Sequence, residues 1–192
     1  MSSVICTDRL MLVAATIALC DAEYEGAMSV GRVLGATMPA SWPPAVFERD
    51  DVDRVRQALW SDPETQGWTL HYLLRRPRAQ GDDVALVGIA GFASRPTAEG
   101  LVEIGYAIAE EHRRRGYATE AVEALLARAF ADTRVRVVTA STYASLAPSI
   151  GVLKKTGFEQ VSCDPDTGLV RFRRVRDSDQ NRYASETKHS SR

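Results

Sequence analysis

Cysteine is scarce in this sequence, and its spacing excludes the sites that cysteine usually builds. The 192 residues contain three cysteines, Cys6, Cys20 and Cys163. An odd number of widely separated cysteines without a C-x-x-C pair argues against a disulfide framework and against a zinc site. Such usage is typical of a reducing cytoplasm, where we expect this protein to be located.

Long apolar runs and an excess of either charge are also missing. No stretch approaches the roughly 20 apolar residues of a membrane span, and the mostly apolar residues 10–20 follow Asp8 and Arg9 rather than the basic leader of a signal peptide. Because 24 Lys and Arg oppose 25 Asp and Glu, no overall field attracts nucleic acid or anionic lipid. We therefore expect a soluble monomer or homodimer that binds neither a membrane nor nucleic acid.

What is present is the composition of one globular domain, with 45% hydrophobic and 26% charged residues. Residues 177–192 are polar without periodicity, which predicts a mobile tail after a single domain at residues 1–176. Periodicity and turn residues predict strands at residues 7–14, 68–74, 84–94, 101–109, 135–142, 158–162 and 169–175. Helices are predicted at residues 17–26, 49–60, from 116 onward, and from 148 to 157. This order indicates an α+β fold with helices on both faces of a mostly antiparallel sheet.

Residues 101–119, with the sequence LVEIGYAIAEEHRRRGYAT, are the most informative part of the chain. They predict a strand, a short turn and the first turn of a helix. A helix start exposes unpaired backbone N–H groups and partial positive charge, which together suit a pyrophosphate. Gly116 allows phosphate to approach the backbone, and the arginines at 113–115 can add charge-assisted hydrogen bonds. The alternative interpretation is a helix with a solvated basic cap.

This window resembles a known family. Arg113-x-x-Gly116-x-Ala118 is similar to the [Gln/Arg]-x-x-Gly-x-[Gly/Ala] signature of the GNAT superfamily of N-acetyltransferases, and it lies between a predicted strand and a predicted helix as that family requires. Three further motifs resemble the branch that acetylates the N-termini of ribosomal proteins: TDRLML at residues 7–12, EIGY at 103–106, and SIGVLKKTGF at 149–158. The likeness covers roughly residues 7–175 and is weakest at 26–66.

The resemblance implies a GNAT-type sheet of six to seven strands and acetyl-CoA as the co-substrate, with no metal. The end of the fourth predicted strand would run beside the pantetheine arm, and a backbone N–H near Ile108 would polarise the thioester carbonyl. The following loop and helix start would bind the pyrophosphate, and the strand at 135–142 would diverge from the fourth strand. The resemblance assigns these residues to the cofactor: Tyr106, Ala107, Ile108, Arg113, Arg114, Arg115, Gly116, Tyr117, Ala118, Thr119 and Ser149.

The sequence departs from the family pattern at two positions. The asparagine that usually precedes the serine of the last helix is replaced by Leu146, and the tyrosine that many members use as a general acid is replaced by Leu153. Departure of the thiolate must then rely on Ser149, on Tyr143, on water, or on no acid at all.

Glu103 is the predicted general base, because its carboxylate lies on the strand expected beside the thioester. The alternative is a structural carboxylate bonded to the neighbouring backbone. We expect Glu110 and Glu111 to face solvent and His112 to lie at the surface or packed in a loop. His71 is expected to be a packed histidine, with a position in the acceptor groove as the alternative. Trp42, in a proline-rich segment, is either a core residue or a wall of the acceptor site.

The resulting hypothesis is direct acetyl transfer from acetyl-CoA to a primary amine in a ternary complex. The acceptor can be a protein N-terminus, an amino acid, a polyamine or an aminoglycoside-like drug. The alternative is a non-catalytic acyl-CoA-binding GNAT domain that acts as a sensor or partner module. The interpretation as a nucleic-acid-binding protein that uses Arg113–Arg115 is disfavoured, because the net charge is near zero.

Overall fold

The structure is a computed structural model that describes residues 4–77, 79 and 81–179. It contains two compact units, and each unit is formed by two separate segments of the chain. The first unit combines the chain up to Arg95 with Gly105–Ala124, and the second combines Pro96–Ile104 with the chain from Leu125 onward. No helix in the described residues is long and apolar enough to cross a bilayer.

The first unit is built on antiparallel strands in the order β1-β2-β3-β4. Its strands and helices are β1 (Val4–Cys6), β2 (Leu10–Ala14), α1 (Ile17–Glu25), α2 (Ala27–Leu34), α3 (Arg49–Ser61), β3 (Leu70–Arg75) and β4 (Ala85–Phe92). All eight residues of β4 are buried, as expected for an apolar strand covered on both sides. Two elements contribute to both units, namely β5 (Leu101–Ile108) and α4 (Tyr117–Ala131).

The second unit has the strand order β5-β6-β8-β7. Its own elements are β6 (Val137–Tyr143), α5 (Ala147–Lys155), β7 (Glu159–Cys163) and β8 (Leu169–Val175). β5 pairs with β6 in parallel from Leu101/Val137 to Glu103/Thr139, whereas β8 is antiparallel to both β6 and β7. Pro148 lies in the first turn of α5, and Gly157, at φ +79°, follows its end, as the sequence predicts.

The α+β class and the mostly antiparallel sheet are confirmed, with eight strands rather than six or seven. The additional strand is β1, which lies before the strand predicted at residues 7–14 and forms a hairpin with β2. Thr7 donates its backbone N–H to the carbonyl of Leu10 (2.9 Å), and β1 turns back along β2. Of the predicted tail, Asp177–Asp179 form a short 3₁₀ turn, and residues 180–192 lie outside the described part of the chain.

Helix α2 has only a weak sequence signal and is not among the predicted helices. Gly26, at φ +107°, separates α1 from α2, so the two helices look like one short helix followed by a loop. Gly31 is buried inside α2, where an added Cβ would lie 2.8 Å from Cγ of Met38. A glycine in a helix interior weakens the sequence signal for a helix, although here it permits close packing.

Candidate functional site

The loop that joins β5 to α4 leaves a run of backbone donors unused. The first helical hydrogen bond is donated by the N–H of Glu120 to the carbonyl of Gly116 (3.1 Å). Among the described residues, none accepts a hydrogen bond from the backbone N–H groups of Arg114 to Thr119. Unpaired N–H groups at the positive end of a helix dipole form a binding site for an anion.

The backbone of this loop adopts an uncommon conformation. Arg114 has φ +60° and Gly116 has φ +80°. A Cβ on Gly116 would meet only the end of the Arg9 side chain, at 3.2 Å. Glycine is therefore favoured at this position mainly by the positive φ and less by lack of space. A positive φ at a non-glycine residue such as Arg114 is costly, and it persists where surrounding contacts hold the backbone in place, often at functional sites.

Arg9 and Glu120 supply those contacts. The Arg9 side chain donates from Nε to Oε2 of Glu120 (2.6 Å) and from Nη1 to the carbonyl of Arg115 (2.8 Å), while its backbone N–H donates to Oε1 of Glu120 (2.8 Å). The guanidinium also lies 5.1 Å from the ring centroid of Tyr117. Burial raises the pKa of Glu120, but hydrogen bonds from Thr7 and Arg9 outweigh it and hold the pKa below its usual range.

A positively charged cavity adjoins the same loop within the first unit. Its volume is about 450 Å³. The lining residues are Arg9, Arg75, Ala85, His112, Arg115 and Tyr117. Nδ1 of His112 is buried without a partner among the described residues, and burial lowers the pKa of His112. Three guanidinium groups therefore determine the charge of this cavity near neutral pH, and they suit an anionic ligand.

The end of β5 is held against β4 and against the loop. A Cβ on Gly88 of β4 would lie 2.3 Å from the carbonyl oxygen of Ala107 and 2.9 Å from Cα of Ile108, so only glycine permits this approach. Arg113 donates from Nε to the carbonyl of Ile108 (3.1 Å). Gly88 was not singled out from the sequence, although a glycine within an apolar strand is the signal that identifies such a position.

The segment around Trp42 is tied to the turn that follows β5. The hydroxyl of Ser41 donates to the carboxylate of Glu111 and accepts the backbone N–H of Glu110 (3.0 Å). This hydroxyl is the main reason that the pKa of Glu111 falls to about 2. Glu110 and Glu111 are exposed as expected, and Glu111 in addition fixes the Trp42 segment.

The three predicted catalytic residues lie in the second unit. Glu103 is exposed, and its carboxylate accepts a hydrogen bond from the Ser141 hydroxyl (2.9 Å). Tyr143 is 53% exposed at the end of β6, and Ser149 is half-buried in the first turn of α5. Leu153 is 1% exposed, so the position at which many GNAT members carry a tyrosine is filled by core packing.

Most of the predicted cofactor residues lie in the first unit. They comprise the end of β5, the loop and the start of α4, and the contacts described above bring these segments together. The predicted Ser149 belongs to the second unit. Among the described residues, no group of three His, Cys, Asp or Glu side chains is arranged to hold a metal ion.

A family model and a curated relative both match this chain to N-acetyltransferases. The family model described as "Acetyltransferase (GNAT) domain" matches residues 9–159. A curated relative, the uncharacterized N-acetyltransferase YjdG of Bacillus subtilis (strain 168), is 30% identical over 152 residues, which are 79% of this chain and 87% of the relative.

Solved structures share the fold. One is an acetyltransferase from Salmonella typhimurium that modifies the N-terminal serine of ribosomal protein L7/L12, with a TM-score of 0.62 and 14% identity over 91% of this chain and 99% of the other. Another is the microcin C7 self-immunity acetyltransferase MccE in complex with acetyl-CoA and AMP, with a TM-score of 0.60 and 13% identity over 88% of this chain and 94% of the other.

Proposed function

This chain belongs to the GNAT acetyltransferase family, and from that premise we propose that it transfers the acetyl group of acetyl-CoA to a primary amine by direct attack in a ternary complex. The observation that carries the proposal is the run of unpaired N–H groups from Arg114 to Thr119 beside a cavity lined by arginines. A pyrophosphate is the part of acetyl-CoA whose charge and oxygen atoms match such a site.

Residues 113–119 bind the pyrophosphate in this proposal, chiefly through backbone N–H groups, with the exposed side chains of Arg114 and Arg115 adding positive charge. The end of β5, from Tyr106 to Ile108, lies along the pantetheine arm and donates a backbone N–H to the thioester oxygen. The close contact at Gly88 supports this role, because it fixes the position of the donors that an oxyanion requires.

The chemical step forms one bond and breaks another. The neutral amine nitrogen attacks the thioester carbonyl carbon, the C–N bond forms, and the C–S bond then breaks to release the CoA thiolate. The proton lost by the amine passes to the carboxylate of Glu103, directly or through water. A thiol has a pKa of about 8.5, so its thiolate can leave without an acid. Ser149, Tyr143 and water are the alternative donors, whereas the buried Leu153 cannot contribute.

We propose that the acceptor is a protein N-terminus or a small-molecule amine of comparable basicity. An α-amine has a pKa of about 7.7–8.0 and is partly neutral near pH 7, whereas a lysine amine at about 10.4 is almost fully protonated. A single exposed carboxylate such as Glu103 can assist the first more easily than the second. The neighbour that modifies an N-terminal serine is consistent with this preference.

Two measurements test the proposal. Acetyl-CoA should raise the melting temperature, because it binds only the folded state. Free thiol should then be released from acetyl-CoA when peptides with free N-termini are added, and not when the same peptides are N-formylated. Binding without thiol release for any amine would favour the non-catalytic acyl-CoA-binding alternative, for which the leucines at positions 146 and 153 argue.

A further inference from the structure

Glu23 in helix α1 is a half-buried carboxylate that the proposed chemistry does not use. Its Oε1 accepts a hydrogen bond from the hydroxyl of Tyr72 (3.0 Å), and its Oε2 accepts one from the indole Nε1 of Trp42 (3.3 Å). The two rings lie together, with centroids 6.2 Å apart and planes inclined by 33°. Tyr72 is fully buried, whereas Trp42 is partly accessible.

No cationic side chain of the described residues balances this carboxylate. Glu23 forms no ion pair with any described residue, and both of its partners are neutral donors. Burial raises the pKa of Glu23, and the hydrogen bonds from Trp42 and Tyr72 only partly oppose the rise. A buried charge without a counter-charge is unfavourable, and such groups are concentrated at sites that bind a charged ligand.

Glu23 is connected through Trp42 to the turn that follows the strand proposed to bind the cofactor. Trp42 and Ala107 of β5 both pack against the same apolar cluster of the first unit, which includes Leu19, Cys20 and Tyr72. The neighbour of Trp42, Ser41, contacts Glu110 and Glu111 immediately after β5. The contacts of Ser41 therefore hold the neighbouring indole beside the turn that follows β5, and the indole in turn holds the carboxylate of Glu23.

We propose that Glu23 and the indole ring of Trp42 form the acceptor subsite and bind the ammonium form of the acceptor. This inference rests on the proposed function, and it specifies that the acceptor substrate binds as a cationic amine. A carboxylate supplies charge and a hydrogen-bond acceptor for the ammonium group, and the indole N–H of Trp42 holds that carboxylate in position from the edge of the ring. The role is recognition, and the later loss of the proton belongs to the base.

The decisive variant is Glu23→Gln, because glutamine preserves the local contacts. Its amide oxygen can accept from Trp42, and its NH₂ group can donate to the Tyr72 hydroxyl. A purely structural role is therefore retained, and the melting temperature should stay equal or rise, since a neutral amide is buried at lower cost than a carboxylate. Binding of the cation should be lost, because the neutral amide lacks the negative charge with which the carboxylate attracts the ammonium group.

The expected kinetic effect is a KM for the amine raised about 10- to 100-fold, with kcat and the KM for acetyl-CoA nearly unchanged. Glu25→Gln is the matched control, because Glu25 is an exposed carboxylate at the end of the same helix, and it should behave like the parent protein. A fall in kcat at unchanged KM for the amine would overturn recognition and indicate proton transfer instead.

A binding experiment tests the subsite independently of turnover. The indole N–H resonance of Trp42, assigned through its loss in Trp42→Phe, is followed during titration with n-butylammonium chloride and, separately, with n-butanol. The ammonium salt should shift this resonance in the parent protein and in Glu25→Gln but not in Glu23→Gln, and the alcohol should have little effect.

Equal responses to the two compounds, no response to either, or a Glu23→Gln variant that melts at a lower temperature and still distinguishes them would overturn the inference. Failure of the proposed function is detected separately, as absence of thiol release by the parent protein. The titration decides on Glu23 whether or not that activity is found.

Discussion

The glutamates described above have different surroundings in the two units. In the first unit Glu120 is bound by Arg9, Glu111 is bound by Ser41, and Glu23 is held between two aromatic donors. In the second unit Glu103 is exposed and contacts one hydroxyl, that of Ser141. These three glutamates of the first unit are held in place by their partners, whereas the carboxylate of Glu103 remains accessible to solvent. Binding and proton transfer should therefore be separable by substitution.

The largest expected effect is in the first unit. Gly116→Glu should abolish the stabilisation by acetyl-CoA, because a side chain at φ +80° distorts the loop and its carboxylate repels phosphate. At 100 times Kd the lost stabilisation amounts to about 2.7 kcal/mol. The measurement is the melting temperature with and without acetyl-CoA.

Gly168→Glu is the control for this variant, because Gly168 has a similar φ of +69° in the second unit and open space around it. It should keep the full response to acetyl-CoA. An undiminished response in Gly116→Glu would place the phosphate site elsewhere.

The next effect is in the second unit. Glu103→Gln should lower kcat at neutral pH by about 10²- to 10⁴-fold while leaving the affinity for acetyl-CoA unchanged. The rate should recover partly at high pH, where the amine loses its proton unaided. Ser141→Ala should have a much smaller effect, because it removes only the hydrogen bond to the carboxylate. Weaker binding of acetyl-CoA and lower stability in Glu103→Gln would instead indicate a structural carboxylate.

A smaller effect concerns the contact between Arg9 and Glu120. Glu120→Gln should lower the free energy of unfolding by about 1.5–3 kcal/mol at neutral pH, while Glu123→Gln, an exposed position on the same helix, should not. Since the pKa of Glu120 is lowered in the folded state from 4.5, its contribution is present above pH 4.5 and disappears as the pH falls through the lowered value. A difference between the parent and Glu120→Gln that does not shrink in acid would contradict this account.

The smallest effect concerns Ser41 and Glu111. Ser41→Ala should return the pKa of Glu111 from about 2 toward 4.5, as measured by NMR titration of the carboxyl carbon. The stabilising contribution of Glu111 is present above pH 4.5 and is lost between pH 4.5 and about 2. Because Glu111 is exposed, the change in overall stability should be slight. An unchanged titration of Glu111 in Ser41→Ala would show that its pKa is set by other groups.

The elements that could be predicted from the sequence are those whose signals are local. Gly116 and the apolar face that follows it predict the start of α4, and Pro148 and Gly157 predict the two ends of α5. Glu23 was not identified, because its environment is created by Trp42 and Tyr72, which are 19 and 49 positions away along the chain. Gly88 differs, because a glycine within an apolar strand signals a close approach, although the sequence does not show that its neighbours are Ala107 and Ile108.

The contact between Arg9 and Glu120 spans 111 positions of the chain, and this separation has a consequence for biosynthesis. The loop between β5 and α4 is held by two residues that are synthesised far apart in time, Arg9 first and Glu120 111 positions later. A partial chain ending before Glu120 lacks the contact, and closing so long a loop costs entropy that local elements do not repay. During synthesis this loop therefore cannot reach its native conformation until Glu120 has been added to the chain.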